Sequence, residues 1–170
     1  MAGDSCKDVL ERATTDNPLS DASRAHLLRR RAGSLLFAGN QEEALEVARE
    51  AQGVAQSCNE WAACAAAAST IAIEQMEQSK ITEARESMLA GLEAARKHGA
   101  RIEEAMLLSN VWMLGFPPDS PYSARRCYEG SLPIFRELGN MRFEALTIGN
   151  LGYICLEEND LVAARAQCEE

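Results

Sequence analysis

The residues of this chain most able to do chemistry are six cysteines, two histidines and glutamates that stand side by side. The cysteines are Cys6, Cys58, Cys64, Cys127, Cys155 and Cys168, and the histidines are His26 and His98. Zinc sites need closely spaced thiolates or imidazoles. No two cysteines form a CxxC pair, so the six read as small buried hydrophobes. Among the adjacent glutamates are Glu42-Glu43, Glu103-Glu104 and Glu157-Glu158. Neighbours in sequence face different ways on a helix, so these read as solvated charges, not as paired acid and base. The chain has no Gly-rich phosphate loop, no GxSxG and no HExxH. The expectation is a non-catalytic protein with no metal and no cofactor.

The elements that carry these residues are set by composition. The 170 residues make one domain of ordinary size. They are 46% hydrophobic but only 5% aromatic, so small and aliphatic side chains must fill the core, as in closely packed helices. The run Ala62-Ala63-Cys64-Ala65-Ala66-Ala67-Ala68 favours helix, because alanine loses no side-chain entropy there. A net charge of −9 repels polyanions, so neither direct nucleic-acid binding nor an anionic membrane surface is expected. The longest apolar runs fall far short of the roughly 20 residues that span a bilayer. Met1-Ala2-Gly3-Asp4-Ser5 lacks the basic start and apolar stretch of a signal peptide. The cytoplasm follows by default.

A single long period runs through the chain. Ala164 falls on Ala124, Ala84 and Ala44, and Gly139 falls on Gly99 and then on Asn59. The step is about 40 residues, and a fixed period of that size in a helical sequence signals a solenoid of helix pairs. The expected fold is all-α, with about nine helices in one repeat domain over 1–170. A partial leading unit covers 4–20, with a short helix over 4–14. Full units cover 21–59, 60–99 and 100–139, and a truncated last unit covers 140–170.

Within the first full unit, Ala25, Leu28, Ala32, Leu35 and Leu36 stand at helical spacing. Asn40 and Glu43 make a capping box, and Ala44, Ala48, Ala51 and Ala55 form a stripe that a neighbouring helix approaches closely. In the second, Trp61, Ala65, Ala68, Ile71 and Ala72 line one helix, and Ala84, Met88, Gly91, Leu92 and Ala95 line the other. Gly99 supplies a left-handed C-terminal position. In the third, Phe116-Pro117-Pro118 is expected to end the first helix, and Ser120 with Pro121 to start the second. Pro133 should bend that helix. In the last, Leu161, Ala164 and Cys168 point to where a following helix belongs. With no polar cap visible there, the chain reads as a piece of a longer array or as one that self-associates through its C-terminal helix.

The fourth unit resembles a tetratricopeptide repeat: Leu151-Gly152 and Ala164 match its Leu-Gly and the small residue twelve positions later. The aromatic and small positions fall on Tyr128 and Ser131 in the third unit and on Met88 and Gly91 in the second. Trp112, Ala72 and Ala32 replace the pattern's glycine, and Gln56, Arg96 and Arg136 stand where proline is common. The unit is longer than the common pattern, at about 40 residues against about 34 residues. That longer version is similar to the repeats in the sensor regions of MalT-like and AfsR-like transcriptional activators and related signal-transduction ATPases. Tyr128 to Gly139, Glu144-Ala145-Leu146 and Asn150-Leu151-Gly152 carry the likeness, which covers about 21–170.

The resemblance implies a right-handed α-solenoid of antiparallel helix pairs whose first helices line a concave groove. Residues at matching positions are His26, Arg29, Leu36 and Phe37; Ser69, Ile73, Met76 and Glu77; Met106, Ser109, Met113 and Phe116; and Tyr153, Leu156 and Glu157. Ile73, Met106 and Met113 read equally well as packing between units. A groove rich in Met, Ile, Phe and Tyr suits an apolar or amphipathic helix, so the expected partner is a protein or peptide, with other domains of a longer parent protein beside it. The alternatives are a regulatory domain that answers a small molecule or signalling peptide, and an oligomerisation module. No P-loop or helix-turn-helix is present, so the ATPase and DNA-binding functions of those regulators are not implied.

Overall fold

The computed structural model of the chain describes residues 19–169. The expected helix over 4–14 lies outside them, as do Cys6 and the side chain of Cys168. Eight α-helices occur among the described residues: α1 Asp21–Phe37, α2 Gln41–Ser57, α3 Trp61–Glu77, α4 Ile81–His98, α5 Arg101–Val111, α6 Ala124–Glu137, α7 Met141–Glu157 and α8 Leu161–Glu169. Their order is that of an all-α solenoid of helix pairs. The first helices of successive pairs start at Asp21, Trp61, Arg101 and Met141, so the period seen in the sequence is the period of the helices. The chain forms two compact units, one ending at Ala94 and one starting at Ala95.

One closure recurs at the turns between helices. The N–H of Asn40, Glu60, Lys80, Ala100, Asn140 and Asp160 each donates to the carbonyl five residues back, at 2.8–2.9 Å. The residue before each donor is left-handed: Gly39, Asn59, Ser79, Gly99, Gly139 and Asn159. This is the Schellman arrangement, which satisfies carbonyls that the helix end leaves orphaned. It turns the chain back sharply, so consecutive helices run antiparallel. Ser79 holds this conformation at φ +61°, a place that favours glycine. Ser79→Gly is expected to stabilise the chain by about 0.5–1 kcal/mol, read as a Tm rise of about 2 °C.

In the first unit α2 packs against α1 and α3. Ala44, Ala48, Ala51 and Ala55 are all fully buried, so the expected close approach is made. Leu28, Leu45, Val47 and Ile71 fill the space around them. Asn40 stands at the start of α2, but its side chain makes no cap bond. Glu43, the other half of the expected capping box, pairs instead with Arg31 across the turn.

In the second unit α6 packs between α5 and α7, and α8 closes on α7. Phe135 is fully buried and its ring stacks on Phe143 at 5.3 Å and 18°. A Cβ at Gly152 would sit 3.7 Å from Cβ of Gln167, which shows how closely α8 lies along α7 at the Leu-Gly position. Ala164 is 4% exposed, so it faces this contact and does not point outward to a following helix; Leu161 and Val162 are the exposed large apolar residues of α8, at 63% and 83%.

The third pair departs from the expected boundaries. Helix α5 stops at Val111, a 3-10 turn covers Trp112–Leu114, and Gly115 closes it at φ +60°. The stop therefore precedes Phe116-Pro117-Pro118. Ser120 does not start α6: its Oγ accepts the Tyr122 N–H at 3.1 Å inside the connecting turn, and Ser123 holds the N-cap place. Pro133 lies on the exposed side of α6, which runs unbroken through it.

The residues that replace the pattern's proline have a structural use. Arg96 Nε donates to Glu104 at 3.1 Å, and Arg136 Nε donates to Glu144 at 3.1 Å, the same contact one repeat later. At the matching place in the first unit, burial raises the Cys64 pKa, and Gln56 and Gln52 oppose this with smaller effects. Arg101 joins Glu104 at 2.8 Å, so this carboxylate is buried between two guanidinium groups and is not the solvated charge expected of it.

Glu74 is the exception to polar satisfaction. It shares a buried face of α3 with Ala63, Ala67 and Thr70, is fully buried, and neither carboxylate oxygen has a partner. Burial, and then the charge of Glu77, raise its pKa above the ordinary 4.5. A raised folded-state pKa contributes stability that is complete below about pH 4.5 and is lost as pH rises through the folded value. Glu74→Met is expected to raise stability by about 1–3 kcal/mol at neutral pH. Its advantage over the wild type should grow as pH rises above 4.5, read by paired denaturant titrations. An advantage that does not change with pH would contradict this.

Candidate ligand groove

The residues brought together into a concave surface lie in the second unit, where the long connection between α5 and α6 meets the far end of α7. Two adjoining lobes share Ala124, Ile154 and Glu157. The first has a volume of about 360 Å³ and is walled by Trp112, Tyr128, Asn150 and Tyr153. The second, of about 340 Å³, is walled by Phe116, Pro118, Ser123, Arg125, Arg126 and Glu158.

Local structure explains why these side chains are here. Closing α5 early places Trp112 in the 3-10 turn, where it stays 51% exposed. Phe116 follows and leans on Tyr122, with ring centroids 5.5 Å apart. Tyr153 stands 61% exposed on α7, and its hydroxyl donates to Glu157 Oε1 at 2.8 Å, one helical turn on. That bond holds the phenol above its ordinary range. On α6, Arg125 reaches across to Glu158 and also lies 3.5 Å from Sγ of Cys155. Tyr128 is buried, and burial raises its hydroxyl pKa further than the neighbouring Cys127 does.

Of the residues expected to line a groove, Phe116, Tyr153 and Glu157 meet at these lobes. Met106 is 39% exposed on α5, Met113 is half-buried in the 3-10 turn, and Leu156 is 54% exposed. Ser109 spends its hydroxyl on packing, donating to Ser131 of α6 at 3.2 Å. In the first unit, His26 is exposed, with Nε2 3.3 Å from Glu60, and Glu77 is exposed. Phe37 stands 96% exposed at the end of α1, while Arg29, Ser69, Ile73 and Met76 are half-buried.

Trp112, Ile154, Ser123, Arg125 and Arg126 were not among the expected residues. The two arginines carry a readable signal: cations in the first turn of a helix oppose its dipole, so a pair of them there invites a reason.

The thiols are quiet. Cys64, Cys127 and Cys155 are buried, and Cys58 is half-buried. Burial pushes the Cys127 thiol up to about 11, against a smaller opposing pull from Arg96. Among the described residues, no group of three or more His, Cys, Asp or Glu side chains gathers as a metal site. No described helix is long and apolar enough to cross a membrane.

No family model matches the chain, and no curated protein sequence matches it. Solved structures do. BtubC (BKLC) from P. vanneervenii matches with a TM-score of 0.73 and 18% identity over 96% of this chain and 68% of that one. PH0952 from Pyrococcus horikoshii, a Signal Transduction ATPase with Numerous Domains with a tetratricopeptide repeat sensor, matches with a TM-score of 0.69 and 16% identity. That match covers 96% of this chain and 25% of PH0952, so the chain spans about a quarter of that protein's length. The likeness is one of fold, a helical solenoid.

Proposed function

We propose that the chain is a non-catalytic scaffold of the tetratricopeptide type that holds a protein or peptide segment in the groove of its second unit. It serves as the sensor or interaction part of a larger cytoplasmic signalling or transcription regulator of the MalT-like and AfsR-like kind. The observation that carries this reading is the pair of adjoining lobes with exposed Trp112 and Tyr153 on one side and Phe116 on the other. Large aromatic side chains with few rotatable bonds are the residues on which binding energy concentrates. The fold likeness to PH0952, which has a tetratricopeptide repeat sensor, agrees with a sensing role.

Selection of random displayed peptides on the immobilised chain, with counter-selection on Tyr153→Asp, tests the reading. Aromatic or aliphatic sequences that survive only on wild type support it. Sequences held equally by both forms remove the groove as the site.

A second reading is a regulatory domain that answers a small molecule, and the lobe volumes favour it. At about 340 and 360 Å³ they match the lower end of small-molecule sites, roughly 300–1,000 Å³. Compaction in X-ray scattering on addition of such a ligand separates that reading from a rigid scaffold.

A further inference from the structure

The first N–H groups of any helix lack partners within it, and a side chain at the N-cap ordinarily supplies one. Three described starts follow that rule: Ser20 accepts from the Ser23 N–H at 3.2 Å, Asn140 from Phe143 at 3.4 Å, and Asp160 from Ala163 at 3.0 Å. Helices α2, α3 and α5 lack a side-chain cap bond, and so does α6, fourteen residues long, where the cap residue is nonetheless a serine. Ser123 has the extended backbone of an N-cap, φ −61° and ψ 153°, yet its hydroxyl makes no cap bond. Ser123 is only 5% exposed, lines the second lobe, and its hydroxyl has no partner among the described residues. A nearly buried serine and a turn of free N–H groups therefore meet at one cavity.

The charges around the lobe sort themselves. Arg125 is held by Glu158, with Glu129 at 3.8 Å beyond it. Glu157 accepts from the Tyr153 hydroxyl. Arg126 is exposed, lines the lobe, and has no ion pair with any described residue. The helix start adds about half a positive charge. Phe116, Pro118 and Ile154 supply the apolar lining, with Glu157 and Glu158 beside Ile154 at the end of α7.

We propose that this lobe binds a phosphate monoester: the phosphoryl oxygens accept from the free first-turn N–H groups of α6 and the Ser123 hydroxyl, Arg126 pairs with the charge, and the organic part lies on Phe116. Three phosphoryl oxygens match this cluster of converging donors better than the two of a planar carboxylate, and helix starts suit phosphate. The inference rests on reading the cleft as a ligand groove, and it names the chemistry of one end. The phosphate belongs either to a free small molecule or to a phosphorylated side chain of a peptide that continues into the Trp112 lobe.

Calorimetric titration of the full chain with phenyl phosphate, benzoate and inorganic phosphate tests it, together with amide NMR. Phenyl phosphate should bind saturably and at least tenfold tighter than benzoate, and the Arg125 and Arg126 amides should shift. Arg126→Glu should weaken binding at least tenfold with an unchanged thermal melt, because the side chain is exposed. Ser123→Ala should weaken it severalfold. Equal affinity for benzoate, or full affinity in Arg126→Glu, would overturn the proposal. A phosphotyrosine tetrapeptide that binds tighter than phenyl phosphate assigns the phosphate to a peptide, and equal affinity assigns it to a free ester; both keep the phosphate assignment. Failure here leaves the groove reading intact if unphosphorylated selected peptides still bind wild type and not Tyr153→Asp.

Discussion

Phe135→Ala is expected to destabilise the second unit by about 3–5 kcal/mol, the cost of emptying a buried aromatic site in a close-packed interior. Phe135 is fully closed from solvent and stacks on Phe143 of α7. Its carbonyl also accepts the Asn140 N–H that closes the turn between α6 and α7, so the ring anchors the residue on which that turn is built. Few other rings are available to fill the gap in a chain with four phenylalanines, three tyrosines and two tryptophans. Urea titration followed by circular dichroism measures the loss. Phe143→Leu, at a half-buried site, should cost less. A Phe135→Ala chain within about 1 kcal/mol of wild type would contradict this account of the core.

The second large effect is on binding. Tyr153→Asp removes an aromatic wall of the first lobe and sets a carboxylate one helical turn from Glu157, where the phenol hydroxyl had donated. Two like charges then replace a hydrogen bond on the surface that a ligand must desolvate. Affinity for a selected peptide should fall at least tenfold, in the range of hot-spot residues. Stability should stay within about 0.5 kcal/mol, because Tyr153 is 61% exposed and a surface change of that kind disturbs little packing. Trp112→Ala should act in the same direction. Calorimetry on folded variants reads the affinity. A Tyr153→Asp chain that binds as wild type does would place the site elsewhere.

Much of the fold is legible in the sequence because the repeat is marked in two ways. Small residues mark where helices touch, as at Ala44, Ala48, Ala51 and Ala55, and left-handed residues mark where they end, as at Gly39, Gly99 and Gly139. Asn59, Ser79 and Asn159 hold the same left-handed place, so the regular spacing of the turns is clearer in the hydrogen bonds than in residue type.

The third pair departs from its expected boundaries for a specific reason. The prolines at 117 and 118 are strong breakers, but Gly115 offers a left-handed closure earlier, and the chain takes the earlier exit. The second boundary depends on choosing between Ser120 and Ser123, both good caps, and only the turn geometry decides it.

The groove is half legible for a related reason. Candidates drawn from the first helix of each pair give Phe116, Tyr153 and Glu157, but the opposite wall comes from the start of α6, a second helix. Trp112 joins them only because α5 ends early. Glu104 differs from expectation because its partner Arg96 lies across a turn whose tightness the pattern of charges does not reveal.

The central claim is that a peptide binds in the groove beside Trp112. The most direct test uses Trp61→Phe, which leaves Trp112 as the sole indole. A selected peptide is titrated in while the tryptophan emission is recorded. The account predicts a saturable blue shift as the half-exposed indole loses water, with the same midpoint as calorimetry. Calorimetric binding with no change in Trp112 emission would contradict it.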